Sequence, residues 1–162
     1  MLILLSILLL TALQIHAQTR VKRSVVAAWK EFTVNAQSKD QDTLKSCFAV
    51  PLHYFSVGQA ADEKTITDIS KITINPKFFT FAKTTAPHPS EFSKKVPYLP
   101  NGYTDSTGKS INPAAYCKVP KGAELHEVHL SYPDGENQNM EIYLFYLLND
   151  KLVLYAVNNL NQ

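Results

Sequence analysis

Cysteine is scarce in this chain of 162 residues: there are two, Cys47 and Cys117, and no CxxC. That excludes a zinc ribbon, which draws its ligands from close pairs. A single disulfide stays open, because a bond between Cys47 and Cys117 would close a loop of about 70 residues, and chain entropy gives such a loop roughly 4 kcal/mol. The alternative is two buried thiols packed as small hydrophobes. An excess of charge is also missing, since 16 Lys and Arg stand against 14 Asp and Glu for a net +2. Arg20, Lys22 and Arg23 make the one local surplus, which suits a solvated terminus, so no nucleic-acid partner is expected. Glycine is sparse at five residues. The stretch "GYTDSTGKS" at 102–110 imitates a phosphate loop but has one residue too many between its glycines, no apolar strand before it, and Pro113 in place of the helix that would hold phosphate.

Metal and nucleophile motifs are absent in the same way. "HEVH" sets His126 and His129 three apart instead of four, and on a strand their side chains point to opposite faces. No Ser-His-Asp or Cys-His spacing supports a catalytic nucleophile. The expectation is therefore no metal and no cofactor.

One long apolar run is present, at the start. "MLILLSILLLTALQIHA" carries no charged side chain and ends in a small residue that suits signal peptidase before Gln18. As a helix, Leu2 to Leu13 would span roughly 18 Å, short of the ~30 Å hydrocarbon core. Residues 1–17 are thus expected to be a cleaved signal peptide, giving a secreted or periplasmic protein with no stable membrane insertion after cleavage. Residues 18–162 are one domain's worth of chain.

Apolar spacing organises that domain. Val25, Ala28, Trp29, Phe32 and Ala36 recur as one face of a helix with Ser24 available as its cap, and "KDQDTLKSCF" follows as a second, shorter helix capped by Asp40. Pro51 ends the helical pattern, and "LHYFSV" is a short strand with His53, Phe55 and Val57 on one side. Ile66, Ile69 and Ile72 recur at three, which favours a helix up to about Ile74. From 84 to 120 prolines punctuate the chain, and a loop region is expected.

The last third alternates as strands. "ELHEVHLSY" leads to a turn at "PDG", residues 133–135, and two more strands follow. With Asn149-Asp150 as a two-residue turn, Tyr146 pairs with Val153, Phe145 with Leu154 and Tyr143 with Ala156. One face then holds Ile142, Leu144, Tyr146, Val153, Tyr155 and Val157. The other holds Tyr143, Phe145, Leu147, Leu152, Leu154 and Ala156. A sheet apolar on both sides needs two covers, and the first helix supplies one of them.

"AAWKEFTVNAQSKDQDTLKSCFAVPLHYF" and "EIYLFYLLNDKLVLYAVNN" together resemble the nuclear-transport-factor-2-like superfamily, the cystatin-like α+β group that includes ketosteroid-isomerase-type enzymes. The resemblance covers about half of residues 18–162 and rests on pattern. It implies an α+β fold with N-terminal helices packed on a curved antiparallel sheet that forms a cone. Members include isomerases, dehydratases and many non-catalytic binders, so the fold by itself chooses no activity. The favoured expectation is an exported, non-catalytic domain that binds a small apolar or amphipathic molecule in the cone. Its pocket candidates are Tyr54, Tyr143, Phe145, Tyr146, Glu141, Glu127 and His129. A protein-interaction module, in particular a homodimer, is the first alternative. The second is an isomerase or dehydratase that pairs a carboxylate, Glu141 beside Tyr143 or Glu127 beside His129, with a tyrosine donor.

Overall fold

The computed structural model describes residues 25–56, 64–90 and 112–161. The expected signal peptide, the basic cluster at 20–23, Ser24 and the glycine-flanked stretch 102–110 lie outside the described residues.

Helix α1 covers 25–35 and buries Val25, Ala28, Trp29 and Phe32, the spacing of one helical face. Asp40 then opens α2 (Gln41–Cys47) by accepting a hydrogen bond from the Thr43 backbone N–H at 2.8 Å. Helix α2 passes straight into strand β1 (Phe48–Ser56). The change from helix to strand therefore falls three residues before Pro51, not at it. Pro51 sits inside β1, where the ladder to its neighbour shifts register between Phe48 and His53.

The isoleucine-rich stretch departs from the helix expected up to Ile74. It forms strand β2 (Lys64–Ile66), a 3-10 turn at Ile69–Lys71 capped by Asp68, and irregular chain to Asn75. Asn75 caps α3 (Pro76–Phe81), with Pro76 in the first turn where its missing N–H costs nothing. The proline-marked region is not all loop, because it supplies strand β3 (His88–Pro89) and helix α4 (Pro113–Tyr116). Strands β4 (Glu124–Asp134), β5 (Asn137–Leu148) and β6 (Lys151–Asn161) complete the chain.

The six strands form one curved, unclosed sheet in the order β2-β1-β6-β5-β4-β3. The fold class is α+β, as expected. The sheet is mixed, however, since β1 runs parallel to β6 while the other pairs are antiparallel. The β5–β6 hairpin closes on Asn149 and Asp150, both with positive φ as a type I′ turn requires. Tyr146 faces Val153 and Phe145 faces Leu154, as the two-residue turn predicts. Further along, a bulge between Leu144 and Phe145 changes the count, so Tyr143 pairs with Val157 and Leu144 with Ala156. Val157 and Ala156 consequently exchange the faces that strict alternation gave them.

Each face has its own cover. The first carries Val128, Leu130, Tyr143, Phe145, Leu147, Leu152, Leu154 and Val157 against α1 and α3. Trp29 locks that layer: its indole N–H lies 2.8 Å from Thr85 O and 3.2 Å from Ala82 O, just past α3. The second face carries Ile142, Leu144, Tyr155, Ala156 and Phe55, and α4 with Cys117 and Val119 packs on it. Neither Cys47 nor Cys117 is in a disulfide. Cys47 belongs to the first cluster and Cys117 packs on the second, with the sheet between them, so the disulfide left open from the sequence does not form.

Candidate functional site: two polar clusters and a groove

Three places in this framework gather chemistry, and they lie apart. On the first face, beside the aromatic core, strand alternation aims Tyr132, Glu141 and Tyr143 the same way. Glu141 is nearly buried, yet its carboxylate is fully engaged. Oε1 accepts from the Tyr132 hydroxyl at 2.8 Å and from Asn75 Nδ2 at 3.2 Å. Oε2 accepts from the Tyr143 hydroxyl and from Asn75 Nδ2 at 3.4 Å. Tyr54 reaches the same neighbourhood and donates its hydroxyl to Thr73 O at 3.2 Å. Burial, and then the nearby Glu141, push the Tyr54 phenol up to about 12. Burial raises Tyr143 further still, reinforced by its hydrogen bond to Glu141. The cluster ties the cap of α3 to β4 and β5. Both carboxylate oxygens are occupied by donors, which leaves a substrate proton no open acceptor in this arrangement.

On the second face, at the β3–β4 edge, Glu127 is 1% exposed. Ser90 donates its hydroxyl to Oε2 at 2.6 Å, and His129 Nε2 lies 2.9 Å from Oε1. Burial works against the charged carboxylate, but the hydrogen bonds from His129 and Ser90 outweigh it and hold its pKa below the ordinary glutamate value. His88 comes from β3, opposite Glu127 in the ladder, and its ring centroid is 5.2 Å from that of His129. His126 points to the opposite side and is buried, while the His129 side chain is 42% exposed. The two histidines of "HEVH" are therefore separated by the sheet, as their spacing implies.

The third place is a groove of about 710 Å³ between β1 and the α4 segment. Phe48, Val50, Pro51, His53, Tyr116, Val119 and Tyr146 are among its walls. His53 stacks on Phe55 with centroids 6.2 Å apart, and the Tyr116 ring stands edge-on to His53 at 5.5 Å. Asn75-style capping recurs at α4, where Asn112 Oδ1 accepts from the Ala115 N–H at 3.1 Å, and Lys118 turns the chain with positive φ. Those two features hold Tyr116 over β1.

Of the seven pocket candidates taken from the sequence, Tyr146 alone lines the groove. Tyr143 and Phe145 are packed solid against Trp29, Phe32 and Phe78, with Tyr143 and Phe78 centroids only 4.2 Å apart. Tyr54 and Glu141 belong to the first polar cluster, Glu127 and His129 to the second. His53 and Tyr116 escaped the sequence reading as groove residues. His53 shares a strand face with Phe55, a visible signal, whereas nothing in the proline-marked region announces that Tyr116 folds back on β1.

Among the described residues no helix is long and apolar enough to cross a membrane. Comparison with family models, with curated proteins and with solved structures found no match to this chain.

Proposed function

We propose that this protein is an exported binding domain of the nuclear-transport-factor-2-like type, and that it takes a small apolar or amphipathic molecule in the groove between β1 and α4. The helix pair that leads into a proline-bearing first strand, the curved sheet and the long terminal hairpin support the architecture. The groove carries the function: its volume of about 710 Å³ falls within the roughly 300–1,000 Å³ of small-molecule sites. Its walls are mostly apolar and aromatic, with His53 and Lys118 as polar groups that can orient a ligand. Among the described residues Val50 and Tyr116 are two of the few large apolar ones left substantially exposed, and both line it.

The test is native mass spectrometry of the full chain secreted through its own N-terminus, with titration of the amphipathic dye 1-anilinonaphthalene-8-sulfonate. The expected result is a protein beginning at Gln18 that retains a small-molecule adduct or binds one dye, with affinity falling about tenfold or more in Tyr116→Ser, a loss in line with ~1–3 kcal/mol for burying one such side chain. Far-ultraviolet circular dichroism of the variant should match the parent. A bare monomer with dye affinity unchanged by Tyr116→Ser overturns the reading. A bare dimer that dissociates in Val50→Lys overturns it too, and assigns the groove to a protein interface.

A further inference from the structure

The cluster at the β3–β4 edge has no part in the groove, and its geometry has a purpose of its own. We propose that His88, Glu127 and His129 form a binding site for one divalent transition-metal ion of the zinc class. Antiparallel pairing places His88 directly across from Glu127, and the two-residue period of β4 turns His129 to the same side. One ligand atom from each residue lies within 4.8 Å of the other two, a separation that a central ion at about 2.0–2.2 Å from each can bridge after small rotamer changes.

The outer contacts are those a metal site needs. Ser90 holds Oε2 of the buried carboxylate at 2.6 Å, so Oε1 is the oxygen presented to the histidines. His88 Nδ1 lies 3.3 Å from Pro89 O. If Nδ1 carries the proton, that contact leaves the His88 Nε2 lone pair free to ligate. The ion would take the place now held by the hydrogen between His129 Nε2 and Glu127 Oε1, with the neutral His129 ring carrying its proton on Nδ1 instead. Two imidazoles and one carboxylate suit zinc, nickel, copper or iron(II) and not calcium or magnesium, which favour sets of oxygens. Because His88 and His129 are exposed, the remaining coordination positions would open to water.

The experiment is calorimetric titration of zinc chloride into the full chain after dialysis against a chelator, repeated with cobalt(II) while its visible absorption is recorded. One ion per chain is expected, with cobalt bands of four- or five-coordinate intensity. His88→Gln, an exposed edge substitution, should remove most of the zinc heat. Ser90→Ala should weaken binding by about 10–100-fold through the freed carboxylate. Glu124→Gln, an exposed acid on the same strand, should leave it unchanged. Histidine ring resonances of the parent protein give a readout that needs no variant: zinc should shift two of them together at one equivalent. No heat in the parent, or heat that His88→Gln leaves intact, overturns the site and shows the Glu127–His129 contact to be a plain hydrogen-bonded pair.

Discussion

Glu141 accepts from three side chains, Asn75, Tyr132 and Tyr143, and the tyrosines in its neighbourhood bear on how stability depends on pH. A phenol that is buried and donating to a carboxylate resists ionisation, so the folded state holds its proton to higher pH than the unfolded chain, whose tyrosines titrate near 10.0. A pKa raised on folding contributes stability that is whole below about pH 10 and is lost as pH climbs through the folded value, about 12 for Tyr54. Urea midpoints should accordingly hold steady from neutral pH to about pH 10 and fall beyond it. Tyr143→Phe removes one of those donors and leaves Glu141 Oε2 with the long contact to Asn75, so at neutral pH it should cost about 1–3 kcal/mol. The same variant should show a shallower alkaline loss than the parent. Midpoints that decline in parallel would mean that Tyr143 ionises freely. That Glu141 and Tyr143 share a strand face was plain from alternation; that Asn75 and Tyr132 would saturate the carboxylate was not, because contacts between distant elements leave no periodic trace.

Elements diverged from expectation where local signals competed. "PDG" suggested a turn with Pro133 at its second position, yet β4 continues through Pro133, which pairs with Gln138, and the chain reverses at Gly135-Glu136. Beyond β3 no strand covers the outer edge of β4 among the described residues, which is where a proline is tolerated in a sheet. Gly135 has φ of +63°, the sign demanded at the first central position of a type II′ hairpin turn. A Cβ there would meet nothing within 4 Å, so Gly135→Ala should cost the backbone penalty alone, about 1 kcal/mol, and Gly135→Asn less. Chemical denaturation of the two variants checks the order; equal losses would place the cost elsewhere than in φ. The recurrence of isoleucine at three misled in a similar way. Ile66 ends strand β2, and only Ile69, buried, and Ile72, the half-buried cap, belong to the 3-10 turn, whose repeat is about 3.0 residues; β-branched neighbours and Pro76 keep it from growing into a helix.

At the scale of the whole molecule the sheet is asymmetric, one face filled and the other grooved. Both apolar faces were legible, because β5 and β6 alternate without a polar side. Which face is solid depends on Trp29 and Phe32 meeting Phe48, Phe78 and Phe145, residues from four elements that no window of sequence joins. Phe32 rings lie 5.0 Å from Phe145 and 6.0 Å from Phe48, so truncation would open a cavity where α1, α3 and the sheet converge. Phe32→Ala should cost about 3–5 kcal/mol. Tyr116 sits over the grooved face, 37% exposed, and Tyr116→Ala should cost far less. Trp29 is the one tryptophan of the chain and stacks on Phe32 at 5.9 Å, so its fluorescence follows the solid face directly. Because α1 and the sheet share that cluster, thermal curves from Trp29 fluorescence and from far-ultraviolet circular dichroism should coincide in the parent and in Tyr116→Ala, and shift together to lower temperature in Phe32→Ala. If Phe32→Ala instead loses the fluorescence transition while the sheet signal melts unchanged, α1 is a detachable cover, and the sheet must draw its stability from the grooved side.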